Sequence, residues 1–195
     1  MASGPTETDG RYLAAISDVI KDVVGVFKRE PASFLYESDL RGLMFARLFD
    51  NLSNSLLPWV PADRRWAKLA NGQKLWINPV KTEYPTSTRF DIALMGPEIL
   101  AEWKIWEQHV RVAIEIKFWQ ADGTGGGFVR DVKKLDDYGK AAREDGRPFT
   151  GICIVFCHRR DDPYLPEWVA DGKIVKNPAE LTLPASGDVA WAFTP

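Results

Sequence analysis

Residues 110–120 read VRVAIEIKFWQ. Val112, Ile114, Ile116 and Phe118 alternate with Arg111, Ala113, Glu115, Lys117 and Trp119, the period of a strand with one face packed on a core. Glu115 and Lys117 therefore share the opposite face, roughly 6.6 Å apart along extended chain, so both side chains can reach one small volume above the sheet. That face is expected to be the wet one. A carboxylate and an ammonium on a wet face are most often solvated and add little to stability. Held together there, they could also bind a hard cation and position a water.

The flanking segments say what this strand is part of. Downstream, ADGTGGG at 121–127 reads as a flexible connection; no Gly-Lys-Ser/Thr follows its glycines, so it is not a phosphate-cradling loop. Phe128, Val132, Leu135, Tyr138 and Ala142 then predict a helix over 128–145, closed by Gly146 and Pro148. Its other faces carry Arg130, Lys133, Lys134, Lys140 and Arg143. FTGICIVFCH at 149–158 is apolar nearly throughout, as in a strand inside a sheet. A strand, helix and strand in one sheet run parallel with a right-handed crossover, which makes the two strands neighbours.

Upstream, residues 74–84 and 89–95 read as a hairpin joined through Pro85, Thr86 and Ser87. Phe90, Ile92 and Leu94 take one face of its second strand, and Arg89, Asp91 and Ala93 the other, so Asp91 is expected outward like Glu115. Two helices come first. Leu13, Ile16, Ile20, Val23 and Phe27 predict one over 12–29, ended by Pro31; Leu40, Leu43, Leu48 and Leu52 predict a second from Ser33 or Ser38 to 51, with Arg41 and Arg47 on its other side. Glu37 and Asp39 fall in its first turn, where the helix dipole stabilises carboxylates. The predicted fold is α/β, a three-layer sandwich with a central mixed β-sheet flanked by helices.

A chain of 195 residues supports one good-sized core, hence one domain over 1–195, with 1–10 expected to be flexible and 160–195 an irregular C-terminal extension. Short extended pieces are expected there around Ile174 and over 188–193. Residues 52–71 read as a loop with a short helical piece and a basic cluster at Arg64, Arg65 and Lys68, and 96–108 as a hairpin connection or a helical turn. No apolar run is long enough to span a bilayer and no signal segment is visible, so the expected address is the cytoplasm, with no membrane partner. A net charge of −2 gives no global attraction to nucleic acid, so polyanion binding needs a local basic surface. Cys153 and Cys157 lie roughly 13 Å apart along one strand, too far to bridge, and read as buried free thiols. His109 and His158 have no ligand spacing with each other or with the cysteines, so no zinc site is expected.

Asp91 in RFDI, Glu115-Ile116-Lys117 on the next strand and Glu37 in FLYESDL together resemble the PD-(D/E)xK nuclease superfamily, which has the restriction-endonuclease-like fold. Asp131-Val132-Lys133-Lys134-Leu135 is similar to the start of that family's crossover helix. The resemblance covers residues 37–158. It departs from the family pattern at Phe90, which stands where the family's name has Pro, so Asp91 is identified by strand position and spacing. The resemblance implies a metal-dependent nuclease hydrolysing phosphodiester bonds, in DNA rather than RNA, in defence or repair. It implies Asp91, Glu115, Lys117 and Glu37 as the catalytic set. Magnesium, or manganese in its place, would be held by Asp91, Glu115, the backbone carbonyl of Ile116, and Glu37. Asp39 competes with Glu37 for the helical role. Lys133, Lys134 and Arg130 would meet nucleic-acid phosphates, with Arg64 and Arg65 as further candidates. Specificity would come from loops, a homodimer or a partner subunit. Two rival readings stand beside it: a catalytically inactive nuclease-like subunit that binds a partner or nucleic acid, and an unrelated α/β domain in which Glu115 and Lys117 form only a surface ion pair.

Overall fold

The computed structural model describes residues 7–59, 75–84, 88–96, 110–119, 126–157, 174–175 and 189–193. Helix α1 (Glu7–Arg29) begins inside the stretch expected to be flexible. Its residues Tyr12, Ile16, Ile20, Val23 and Phe27, at steps of three and four, are fully buried. Lys28 and Arg29 close it, where cations suit the negative end of the helix dipole. After a single 3₁₀ turn at Pro31–Ser33, helix α2 (Glu37–Asn51) buries Leu40, Met44 and Leu48 along one line.

Strands β1 (Leu57–Trp59) and β2 (Leu75–Ile77) form a small antiparallel pair of their own. The main sheet contains β3 (Val80–Tyr84), β4 (Phe90–Met95), β5 (Val110–Trp119), β6 (Thr150–Cys157), β7 (Ile174–Val175) and β8 (Val189–Phe193), in the order β3-β4-β5-β6-β8-β7. Its first two pairings are antiparallel and the other three parallel. Helix α3 (Gly126–Glu144) makes the crossover from β5 to β6. The α/β class, the mixed sheet and the β5–β6 pairing are as expected. The predicted strand over 74–84 is divided at Asn78 and Pro79, since Pro cannot donate to a ladder. Asn78 makes the corner useful: its side chain donates to the Phe49 carbonyl at 2.9 Å and accepts from the Val80 N–H at 2.9 Å, tying the end of α2 to the start of β3.

Each sheet face has its own core. Ile92, Leu94, Val112, Ile114, Ile116, Ile152, Ile154 and Phe156 pack under α1 and α2. Phe27 sits at the centre of that layer, with ring centroids 5.1 Å from Phe156, 5.8 Å from Phe34 and 6.2 Å from Phe118. Tyr12 adds a polar tie, its hydroxyl donating to the Met95 carbonyl at 3.0 Å. On the other face Phe90, Ala93, Ala113, Cys153 and Val155 pack with Leu135 of α3. Between Leu94 and Met95 the register slips, β5 advancing two residues for one of β4, so Val110 turns to the α3 face while Val112 keeps to the other.

This second layer corrects the sequence reading. The face holding Asp91 and Glu115 is not wet. It lies under α3, and the two carboxylates are only 9% and 2% exposed. Amphipathic alternation shows that two faces differ in polarity; it does not show that the polar one meets water. In the tail the extended pieces expected around Ile174 and over 188–193 are β7 and β8, and β8 pairs with β6 inside the main sheet. Cys153 is buried and free, as expected. Among the described residues no helix is long and apolar enough to cross a membrane. Arg64, Arg65, Lys68, His109 and His158, together with residues 97–109 and 120–125, lie outside the described residues.

Candidate active site

The strand register sets the arrangement. Ile92 lies opposite Ile114, so the next pair along β4 and β5 is Asp91 with Glu115, side chains on the same face. Here the two strands part. The Asp91 carboxylate takes the bond that the next β4 backbone group would make, its Oδ2 accepting from the Ile116 N–H at 2.8 Å. A strand residue turns its N–H and its C=O to the same edge, so the Ile116 carbonyl faces the Asp91 side as well. The fork lies at the carboxyl end of the parallel strands β5 and β6, where open α/β sheets bind their ligands.

Helix α2 delivers Glu37 and Arg41, one turn apart, to this end of the sheet. Arg41 Nη1 reaches Asp91 Oδ1 at 3.3 Å and also pairs with Glu83. Lys117 Nζ donates to both oxygens of Glu37 at 3.2 Å and lies 2.8 Å from Asp131 Oδ2. Helix α3 contributes Asp131 and, three residues on, Lys134. The Lys134 ammonium lies 2.5 Å from Glu115 Oε1 and 3.7 Å from Asp131 Oδ1, donates to the Arg89 carbonyl at 3.0 Å, and sits 5.5 Å over the Phe90 ring. Arg89 holds that carbonyl in place from a left-handed conformation, φ +47°, which costs a non-glycine residue about 1 kcal/mol.

Asp39 and Glu37, two residues apart, take different partners. Asp39 Oδ2 accepts from the N–H groups of Leu35 and Tyr36, both at 2.9 Å, and so caps α2, while Glu37 turns to Lys117. Asp39→Ala is expected to lower stability by about 1 kcal/mol, the usual value of a lost N-terminal cap, and to leave chemistry at Lys117 untouched. Chemical denaturation of the variant checks the first half of that expectation and an activity assay the second.

Five carboxylates, Glu37, Glu83, Asp91, Glu115 and Asp131, share three cations, Arg41, Lys117 and Lys134, so acids outnumber cations at this end of the sheet. Glu115 carries the consequence. Burial, with the charges of Asp91 and Asp131 added, pushes its carboxyl up to about 8 against the pull of Lys134. Burial also raises Glu37, against the pull of Lys117. For Lys117 burial acts to lower the value, but Asp131 and Glu37 together outweigh it and hold the ammonium above the ordinary lysine range. Lys117 is therefore a permanent donor and not a base. Glu115 Oε1 and Asp131 Oδ2 are fully buried and have lysine charges close by, yet neither contact has hydrogen-bond geometry.

The sequence-predicted residues thus divide. Asp91, Glu115, Lys117, Glu37 and the Ile116 backbone meet at one end of the sheet. Glu37, however, sits on Lys117 rather than completing a three-carboxylate set, and among the described residues no group of three or more His, Cys, Asp or Glu side chains is placed to hold a metal ion. Of the three residues expected to meet phosphates, Lys134 points inward to Glu115, whereas Lys133 is exposed and pairs with Asp137, and Arg130 is exposed. Arg41 and Asp131 were not among the predicted site residues. A signal existed for Asp131: it stands four residues before Leu135, on the extension of the apolar stripe of α3, where a charge needs a buried partner. No protein-family model, no curated protein and no solved structure matches the chain.

Proposed function

We propose that this chain is a metal-dependent nuclease of the PD-(D/E)xK kind, acting on phosphodiester bonds of DNA. One observation carries the reading: a buried carboxylate pair, Asp91 and Glu115, stands at a strand fork where five acids share three cations, and a buried Glu115 oxygen lacks a hydrogen bond. The residues fit Mg²⁺, which takes oxygen ligands, keeps several waters and is commonly held by one or two carboxylates, so a third acid is not required. Asp91, Glu115 and the Ile116 carbonyl would hold it. When bound, the ion would offset charge on the scissile phosphate and make a bound water more acidic.

The chain's own residues account for the rest. Arg41 and the Ile116 N–H fix the Asp91 carboxylate at both oxygens, so it is oriented before any ligand arrives. Glu37 and Asp131 hold Lys117 protonated, an ammonium positioned to stabilise charge that develops on phosphate oxygens. Lys134 sits 2.5 Å from Glu115 and must give way for a cation to reach it.

That last contact also favours one other reading, in which Lys134 is a lasting counter-ion and the domain is a catalytically inactive interaction subunit. Cleavage assays separate the two. The chain is expected to cut DNA with Mg²⁺ or Mn²⁺ and to stop when EDTA removes the metal. Asp91→Asn is expected to slow cleavage by about 10²–10³-fold, the usual effect of losing one charge-stabilising group. A folded wild-type chain inert with every divalent cation tried, on single-stranded, duplex and branched DNA, would establish the inactive subunit.

A further inference from the structure

Beside the acid cluster, between α3 and the start of β4, lies a groove of about 420 Å³ lined by Thr88, Arg130, Lys133, Lys134, Asp137 and Tyr138. Lys134 belongs to both places, since its stem lines the groove and its ammonium contacts Glu115 at 2.5 Å. The lining is largely apolar, with Tyr138 its one aromatic side chain, whose ring also contacts Phe90, Phe149 and Arg147; three of the six lining residues are cationic and one, Asp137, is acidic. Arg130 is exposed and makes no ion pair among the described residues; the only counter-charge at Lys133 among them is the equally exposed Asp137 at i+4. A largely apolar lining with cations in it suits a ligand that is flat and apolar on one side and anionic on the other.

We infer that this groove receives one unpaired nucleotide of the substrate strand, its base against the Tyr138 wall and its phosphate against Arg130 and Lys133. The inference rests on the nuclease reading for its context and narrows the substrate to single-stranded DNA or the single-stranded part of a branched one. A base still stacked and paired in a duplex cannot enter a groove of this size without leaving its partner. Unpaired bases offer their faces freely, and aromatic or apolar walls with a basic track are the common way such strands are held.

Binding tests this apart from cleavage. With EDTA present, fluorescence anisotropy of a labelled oligo-dT and of a hairpin duplex is expected to show at least about tenfold tighter binding of the single strand. Arg130→Glu with Lys133→Glu, both on exposed positions, is expected to weaken oligo-dT binding by about tenfold or more and to flatten its dependence on salt, because phosphate contacts are lost. Circular dichroism of the double variant confirms folding. Equal or tighter binding of the duplex, or an unchanged affinity and salt slope in the double variant, overturns the inference. A wild-type chain that cleaves while the groove variant binds normally would overturn the groove and leave the nuclease. A chain that binds single strands through the groove but never cleaves would do the reverse.

Discussion

Lys117→Met is expected to lower cleavage by about 10²–10³-fold and to destabilise the fold by about 3 kcal/mol. The two losses have different origins. The ammonium lies 2.8 Å from Asp131 and 3.2 Å from Glu37, and Asp131 is only 5% exposed. Taking away the cation leaves a buried carboxylate whose nearest other positive charge among the described residues is Lys134 at 3.7 Å, and an uncompensated buried charge costs far more than the intact pair contributes. Methionine fills similar space, so the loss reads charge and not packing. Lys117→Arg separates the two roles: its cation restores most of the stability, but the planar fork cannot place a point charge where the ammonium stood, so the rate stays low. Both variants are assayed well below their melting temperatures. A Met variant that cuts as fast as wild type removes Lys117 from the chemistry altogether.

The second large effect is one of pH. Glu115 is held at about 8 in the folded chain, chiefly by burial, against 4.5 for an ordinary glutamate. The folded state therefore binds this proton more tightly than the unfolded state, and ionising the group works against the fold. Stability is full below pH 4.5, falls as pH rises from there to about 8, and levels off beyond; the whole effect is about 5 kcal/mol. Burial pushes Glu37 in the same direction. Between pH 6 and pH 8.5 the Glu115 share is about 2–3 kcal/mol, or about 5–10 °C in Tm for a chain of this size. Glu115→Gln cannot ionise, and its melting curve is expected to flatten over that interval relative to wild type. Parallel curves for the two proteins would show that Glu115 is not held neutral. Magnesium takes the ionised carboxylate, so its thermal stabilisation of the wild type should be larger at pH 8.5 than at pH 6 and absent in Glu115→Gln.

Much of the fold was legible because its elements carry strong periodicity. The stripes of α1, α2 and α3, the alternation in β5 and the apolar run of β6 each had one consistent reading, and the crossover rule joined β5 to β6; in β4, by contrast, Phe90 was expected beside Ile92 and Leu94 but packs on the α3 face. The site was legible as a set of residues but not as an environment. Period-two alternation placed Asp91, Glu115 and Lys117 on one face, while the depth of that face depends on α3 packing over Ala93, Ala113 and Cys153, small residues that say little when read one at a time. Arg41 was read as one more solvated charge because its partners, Glu83 and Asp91, lie more than forty residues away. Asp39 and Glu37 differ by a single helical step, and only the backbone direction before α2 decided which became the cap.

The place of β8 in the sheet bears on how the chain is made. Strand β6 is apolar and buried, yet one of its two neighbours arrives only with residues 189–193, long after β6 itself has been synthesised. A nascent chain on the ribosome therefore carries an open, hydrophobic β6 edge for that interval, the kind of surface that recruits stray strands from other molecules. Truncation before Val189 recreates that state permanently.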